Sequence, residues 1–173
     1  PTFRALGAQV IPKLLAGRSR HEPLRIWVPG CSSGEEAYSL AMLFAEATES
    51  SGGLPPMQLF ATDLNVACIQ KARAGLFSQN AVQHLSRERL RRFFVPTDTG
   101  FQIAKSIREA CVFAVHNALS DPPFSGMDLV SCRNLLIYLE PAAQRRVVSL
   151  LHYALRPNGF LVLGSSETPG GQG

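Results

Sequence analysis

The stretch LRIWVPGCSSGEEAYSLA, residues 24–41, decides the fold. Residues 24–28 are mostly apolar and predict a buried strand, whereas the residues from Gly34 onward have the apolar spacing of a helix. Between them, Pro29 and Gly30 end the strand in a turn whose backbone N–H groups are available to a ligand. A strand, a glycine turn and a helix in this order are typical of the first unit of a parallel α/β sheet.

Two glutamates, Glu35 and Glu36, start the helix and restrict the ligand. Their charge is favourable at a helix N-terminus but repels a phosphate from the same place. The turn also lacks the Gly-x-Gly-x-x-Gly spacing, and Asp63 lies farther from Gly34 than the roughly twenty residues expected in a dinucleotide-binding fold. These features favour a neutral or cationic ligand over a nicotinamide cofactor. The alternative is that both glutamates only stabilise the first helical turn.

The remaining pattern extends the alternation of strands and helices along the chain. Further strands are predicted at 57–63, 111–117, 127–134 and 160–164, and helices at 3–16 (kinked at Pro12), 34–50, 65–75 and from Pro141 onward. Residues 76–110 interrupt the alternation with a polar helix at 86–94 and a strand-like pattern at 101–107. We therefore expect an α/β fold, a mostly parallel sheet with helices on both faces and a small inserted subdomain at 76–110.

Composition excludes several classes of protein. The 173 residues fit one domain, and 17 Lys and Arg against 13 Asp and Glu give a net charge of +4, too small to indicate nucleic acid. No apolar run is long enough to span a bilayer, so we expect no membrane insertion. The four cysteines are scattered and lack zinc-site spacing, which predicts a reduced, cytoplasmic environment and no metal; they are Cys31, Cys68, Cys111 and Cys132.

Polar residues follow four of the predicted strands at the edge where the strands' carboxyl ends meet. They lie at Gly30 to Glu36, at Asp63, at Asn117 and at Arg133–Asn134. The carboxylate of Asp63 can accept hydrogen bonds from both hydroxyls of a ribose, although it could also serve only as a turn or capping residue. S-adenosylmethionine (SAM) fits this edge, because it carries adenosine without a phosphate, together with an ammonium and a sulfonium.

Five segments together resemble the CheR family of SAM-dependent chemotaxis-receptor glutamate methyltransferases. They are PGCSSGEEAYSLA (29–41), ATDLN (61–65), VHNAL (115–119), SCRNLLIYL (131–139) and LRPNGFLVLGSSE (155–167). The stretch 152–168 is most similar to the CheR part of CheB–CheR hybrid proteins. The resemblance implies a Rossmann-like class I methyltransferase fold and transfer of a methyl group from SAM to glutamate side chains of chemotaxis receptors.

The resemblance also implies roles for individual residues. Glu36 and Asp63 are expected to bind the methionine and ribose parts of SAM, and Arg133 and Tyr138 to align the reactants as catalytic residues. Tyr138 could instead be an aromatic packing residue. The full set expected to bind the cofactor is Gly30, Cys31, Gly34, Glu36, Asp63, Asn117, Ala118, Arg133 and Asn134.

Partners follow from the same resemblance. Arg91 and Arg92 are predicted to contact an acidic helical segment of a receptor, the alternative being a solvated helix face. The inserted region is short, so we expect no tether for a receptor's C-terminal peptide. CheB-like and sensor domains are expected in the same polypeptide.

Some features of the family are missing or changed. Its Thr-x-Phe-Phe-Arg motif should lie just before Pro1 and its last strand pair after Glu167, so we expect the 1–173 domain to be truncated at both ends. Phe77 and Ala118 replace the family's usual tyrosine and leucine. The alternative functions are a non-catalytic SAM-binding or scaffold module of a hybrid signalling protein, and a small-molecule methyltransferase.

Overall fold

The computed structural model describes residues 2–19, 21–49, 56–165 and 167, and its centre is a five-stranded parallel sheet. The strands are β1 (Leu24–Pro29), β2 (Met57–Asp63), β6 (Cys111–Val115), β7 (Met127–Cys132) and β8 (Leu155–Leu163), in the order β6-β2-β1-β7-β8. The chain builds outward from β1 on one side and then returns to its other side with β7. Ligands of such sheets bind where the order reverses, beyond the carboxyl ends of the strands.

Helices cover both faces of this sheet, as predicted. The long ones are α3 (Glu35–Glu49), α4 (Val66–Ala74) and α8 (Pro141–Ala154). Successive residues of β1 point to opposite faces. Ile26 belongs to the apolar core that includes Leu40 of α3, and Trp27 to a second core that includes Leu151 of α8.

Local capping chemistry sets the ends of α4. The Asn65 side chain accepts hydrogen bonds from the backbone N–H groups of Ala67 (2.9 Å) and Cys68 (3.3 Å). Gly75 ends the helix in the left-handed conformation, with φ of 60°. These two residues are the first and last of the helix predicted at 65–75.

The kinked first helix is confirmed and is divided into three parts. It consists of α1 (Thr2–Ala5), a π-helical turn (Leu6–Val10) and α2 (Ile11–Leu15). Pro12 lies in the first turn of α2, where its missing N–H costs no helical hydrogen bond. None of the described helices is long and apolar enough to cross a bilayer.

The region 76–110 forms its own three-stranded antiparallel sheet, ordered β3-β5-β4. Its elements are β3 (Leu76–Phe77), α5 (Gln79–Val82), α6 (Arg87–Phe93), β4 (Phe94–Thr97), β5 (Gly100–Ile103) and α7 (Lys105–Glu109). The guanidinium of Arg89 makes two hydrogen bonds, of 2.7 and 2.6 Å, to the carboxylate of Glu46 on α3. This ion pair connects α6 of the inserted region to α3, which packs on the main sheet.

Four predicted strands differ from the structure in extent. The strands predicted at 111–117 and 127–134 end earlier, at Val115 and Cys132, and two others differ more. The pattern at 101–107 is a strand only to Ile103 and continues as α7, because Ile103 and Ile107 are four residues apart and both buried, a spacing that also fits a helix. The last strand begins at Leu155 rather than 160. The turn-like segment Arg156–Gly159 forms a bulge in this strand, because the register against β7 shifts there and Asn158 has φ of 67°.

Candidate functional site

An open cleft of about 400 Å³ lies at the carboxyl ends of β1, β2 and β7. The strand ends bring together residues that are more than 100 positions apart in the sequence. The residues that line the cleft are Gly30, Cys31, Ser32, Glu35, Glu36, Asp63, Arg133, Asn134, Leu135 and Tyr138. Seven of the ten residues predicted for cofactor binding or catalysis therefore meet at one place.

The turn after β1 forms one wall of the cleft. Gly30 has φ of 68°, and a Cβ there would lie 3.2 Å from the side chain of Leu135. The backbone N–H of Cys31 donates to the carbonyl of Thr62 (2.9 Å), which ties the turn to β2. Burial raises the pKa of the Cys31 thiol to about 12.

Gly34, also predicted to bind the cofactor, is not among the lining residues. A Cβ at this position would lie 3.1 Å from Ala72 and 3.2 Å from the ring of Phe113. Its φ of 92° is also unfavourable for other residues. The glycine therefore allows the start of α3 to approach α4 and β6 closely.

Asp63 connects two segments of the edge through its carboxylate. One oxygen accepts from the backbone N–H of Ser32 in the glycine turn (2.8 Å), and the other from that of Asn65 (2.9 Å). Each carboxylate oxygen can accept more than one hydrogen bond, so both retain capacity for a ligand hydroxyl. Asp63 thus acts in a turn and also lines the cleft.

Glu36 is the partly buried acid of the cleft. Its carboxylate accepts a hydrogen bond from the Ser131 hydroxyl (2.5 Å), and the nearest Arg133 nitrogen is 3.9 Å away. Burial raises the pKa of Glu36, even though Ser131 and Arg133 favour the ionised form, and the negative charge of Glu167 raises it further. The protein alone does not fully compensate this charge, which suits a cationic ligand group.

Arg133 and Asn134 occupy the loop after β7. The Arg133 guanidinium lies over the ring of Phe3, 5.2 Å from its centroid, and its Nε is buried without a hydrogen-bond partner among the described residues. Asn134 has φ of 61°, a left-handed conformation uncommon outside glycine. Tyr138 follows on a short 3-10 helix (Leu136–Tyr138) and is 80% exposed, so it is not a core packing residue.

Glu167 lies behind the cleft, and no role for it was predicted from the sequence. It is only 8% exposed, and its carboxylate accepts hydrogen bonds from the backbone N–H groups of Asn134 (3.0 Å) and Leu136 (2.8 Å). The family resemblance includes the GSSE motif (164–167), which contains Glu167, but implies no role for this residue. A carboxylate that binds backbone groups distant in sequence leaves no spacing signature.

Asn117 and Ala118 lie beside the cleft but are not among its lining residues. They follow β6, whose end is next to Asp63 of β2. The side chain of Asn117 accepts from the backbone N–H of Leu119 (2.9 Å), and its backbone N–H donates to Asp121 (2.8 Å). Their contact with SAM stays a prediction.

Arg91 and Arg92 are exposed on α6 of the small sheet, away from the lining residues. The Arg92 guanidinium lies over the ring of Phe93, 4.6 Å from its centroid. Contact with a receptor stays a prediction. Within the described ranges, no group of three or more His, Cys, Asp and Glu side chains is arranged to hold a metal ion.

Comparison with protein families gives one match over residues 1–172, to the SAM-binding domain of CheR methyltransferases. An uncharacterized 104.1 kDa protein of Rhodobacter capsulatus is 46% identical over 166 residues, which are 96% of this chain but 17% of that protein. A chemotaxis protein methyltransferase 1 of Pseudomonas aeruginosa is 36% identical over 170 residues, 95% of this chain and 62% of its own length. The chain thus spans less than two thirds of both relatives.

Solved structures show the same fold at low sequence identity. PKMT2 from Rickettsia typhi in complex with AdoHcy has a TM-score of 0.53 and 14% identity, covering 94% of this chain and 24% of that one. The glycopeptide N-methyltransferase MtfA complexed with sinefungin has a TM-score of 0.51 and 13% identity, covering 91% and 49%. The strand order, the glycine turn and these likenesses identify a Rossmann-like class I methyltransferase fold.

Proposed function

The chain belongs to the family of CheR methyltransferase SAM-binding domains, and from that premise we propose that it methylates glutamate side chains of chemotaxis receptors in the cytoplasm. The observation that carries the proposal is the acidic cleft at the sheet's carboxyl edge, which Glu35, Glu36 and Asp63 line together with the glycine turn. SAM supplies the activated methyl group, and the products are a glutamate methyl ester and S-adenosylhomocysteine.

The residues of the cleft fit the parts of SAM. Glu36, with its incompletely compensated charge, would hold the ammonium of the methionine part, and Asp63 would accept from the ribose hydroxyls. Gly30 and Cys31 line the same cleft as these two carboxylates. The arrangement presents no cluster of cations for a phosphate, since Arg133 is the one Lys or Arg among the lining residues.

Catalysis requires alignment rather than a general base. The acceptor carboxylate has a reference pKa of about 4.3 and is ionised at neutral pH. Holding two reactants in line can contribute up to about 7–11 kcal/mol of barrier lowering. Arg133 can attract the acceptor carboxylate, and the exposed Tyr138 can position it from the rim of the cleft.

The wider protein is part of the proposal. The Rhodobacter capsulatus relative is several times longer than the matched region, which supports a domain that works beside CheB-like and sensor domains in one polypeptide. The substrate would be an acidic helical segment of a receptor. Arg91 and Arg92 on α6 would contact its charged surface.

Calorimetric titration with S-adenosylhomocysteine tests the cofactor site. We expect Asp63→Ala to raise the Kd at least tenfold, because it removes the ribose acceptor and the tie to Ser32. Asp98→Ala, which changes an exposed aspartate in a turn of the small sheet, is the matched control and should bind like the wild type. No binding by the wild type would favour the non-catalytic module, and equal binding by Asp63→Ala would refute the assignment of Asp63.

Receptor methylation tests the substrate surface separately. We expect Arg91→Glu with Arg92→Glu to slow methylation of receptor while leaving the Kd for S-adenosylhomocysteine unchanged. Reversing Arg145 and Arg146, an adjacent exposed pair on α8, is the matched control. Equal loss in both double variants would mean that overall charge, not this helix, governs the encounter.

A further inference from the structure

The carboxylate of Glu167 is bound entirely by backbone N–H groups from two segments. One oxygen accepts from Leu136 (2.8 Å), and the other accepts from Asn134 (3.0 Å) and Gly164 (2.7 Å). No ion pair with Lys or Arg is formed by Glu167 within the described part of the chain. Its partners are fixed donors of the loop after β7 and of the end of β8.

The two partners of Glu167 in the loop, Asn134 and Leu136, lie next to the residues proposed to align the reactants. Asn134 is in the left-handed region, with φ of 61°, which few non-glycine residues adopt. Arg133 directly precedes Asn134, and Tyr138 ends the 3-10 turn that Leu136 starts. The two residues proposed to align the reactants are therefore attached to the backbone that Glu167 binds.

Gly164, directly after β8, leaves room for the carboxylate of Glu167. A Cβ at position 164 would lie 2.5 Å from a carboxylate oxygen of Glu167 and 3.4 Å from the backbone nitrogen of Asn134. An alanine would therefore displace the carboxylate from its donors. The glycine and the glutamate of the GSSE motif thus serve one structural purpose.

We propose that Glu167 is a positioning residue of the cofactor cleft, which acts through the backbone of Asn134 and Leu136 to present Arg133 and Tyr138 to the reactants. Glu167 is not itself among the lining residues. The inference rests on the proposed function for its reactants, but the hydrogen bonds are independent of it. A purely structural role would change the free energy of unfolding without changing the cleft of the folded protein.

Glu167→Gln in the full-length protein separates these roles. The side chain keeps its shape, but an amide NH₂ replaces one oxygen and faces N–H donors. We expect the Kd for S-adenosylhomocysteine to rise at least tenfold and kcat to fall, with KM for the receptor changed less than twofold. The amide resonances of Asn134 and Leu136 should shift upfield, since their carboxylate acceptor is lost.

Glu140→Gln, an exposed glutamate before α8, is the matched control and should leave all four measurements unchanged. Wild-type affinity and turnover in Glu167→Gln would overturn the inference, as would a loss that merely follows the unfolded fraction. Absence of binding by the wild type would instead overturn the proposed cofactor, so the two failures are distinguishable.

A double-mutant cycle keeps the inference testable if Glu167→Gln folds poorly. Gly164→Ala should weaken S-adenosylhomocysteine binding in the wild-type background. In the Glu167→Ala background it should have no further effect, because the carboxylate that its methyl group displaces is gone. Additive losses in affinity would overturn the inference.

Discussion

The two ends of the central sheet treat buried carboxylates differently. At the amino edge, Asp128 is 1% exposed and accepts from the backbone N–H of Arg25 (2.8 Å), the guanidinium of Arg156 (2.8 Å) and that of Arg18. At the carboxyl edge, Glu36 has one hydroxyl donor and an arginine at 3.9 Å. The charge of Asp128 is therefore compensated by the protein itself, whereas the charge of Glu36 is left for a ligand to compensate.

The difference separates stability from binding. A buried carboxylate with two guanidinium partners and a backbone donor connects four segments, because Arg18, Arg25, Asp128 and Arg156 come from separate parts of the chain. A carboxylate whose pKa is raised by burial instead costs the folded state free energy when it is ionised. Such a cost is typical of a site arranged for a partner that is not part of the protein.

The largest effect is expected from Asp128→Asn at the amino edge. Removing this charge takes the buried carboxylate partner from Arg18 and one of two carboxylate partners from Arg156, whose other partner is Glu22 at 2.9 Å. We expect a loss of about 3 kcal/mol in the free energy of unfolding. Urea denaturation at an unchanged m-value measures it. The Kd of the folded fraction for S-adenosylhomocysteine should not change. A higher Kd would mean that Asp128 affects ligand binding as well as stability.

Glu36→Gln should act in the opposite direction. The amide still accepts from Ser131 and removes an under-compensated charge, so we expect stability to rise by about 0.5–2 kcal/mol. Affinity for S-adenosylhomocysteine should fall at least tenfold, because the ammonium loses its counter-charge. Glu35→Gln, which changes an exposed neighbour bound to Ser33 (2.8 Å), is the control and should show smaller changes in both.

The pH dependence of binding sharpens the same point. Because the pKa of Glu36 is raised in the free protein, a neutral Glu36 must lose its proton to hold an ammonium, so affinity should increase as pH rises through that pKa. For stability the sign is opposite: the contribution from Glu36 is present below its unfolded pKa and lost as pH rises through the folded pKa.

Ser131→Ala tests that assignment, because the hydroxyl favours the ionised Glu36. The midpoint of the affinity profile should move to higher pH in Ser131→Ala, and Glu36→Gln should flatten the profile. Calorimetry across a pH series measures both. A midpoint that moved to lower pH would assign the titration to another group.

The smallest change in stability is expected from Tyr138→Phe. With Tyr138 80% exposed, the free energy of unfolding should stay within about 0.5 kcal/mol of the wild type. The rate of receptor methylation should still fall if the hydroxyl helps to align the acceptor. An unchanged rate would remove Tyr138 from the proposed mechanism and leave Arg133 alone at that position.

Much of the carboxyl edge could be predicted because its signals are local. The glycine turn, the cap at Asn65 and the acid at Asp63 each depend on neighbouring residues, and parallel strands bring their carboxyl ends together without further information. The inserted region was harder, since the spacing of Ile103 and Ile107 fits a helix as well as part of a strand.

What escaped prediction depends on contacts between distant residues. Glu167 reaches Leu136 across 31 positions, and Arg18 reaches Asp128 across 110. Neither pair has a sequence pattern that distinguishes it from an exposed charge. The same is true of the start of β8, where Leu155 pairs with Met127 of β7 ahead of the register irregularity.

The buried thiol of Cys31 bears on which atom receives the methyl group. SAM is an electrophile, and a thiolate in the same cleft would compete with an oxygen acceptor, since the thiolate is the nucleophilic form of cysteine. Burial raises the pKa of this thiol to about 12, so Cys31 is protonated at neutral pH. Burial of this side chain therefore keeps the cysteine that lines the proposed SAM cleft in its less nucleophilic, protonated form.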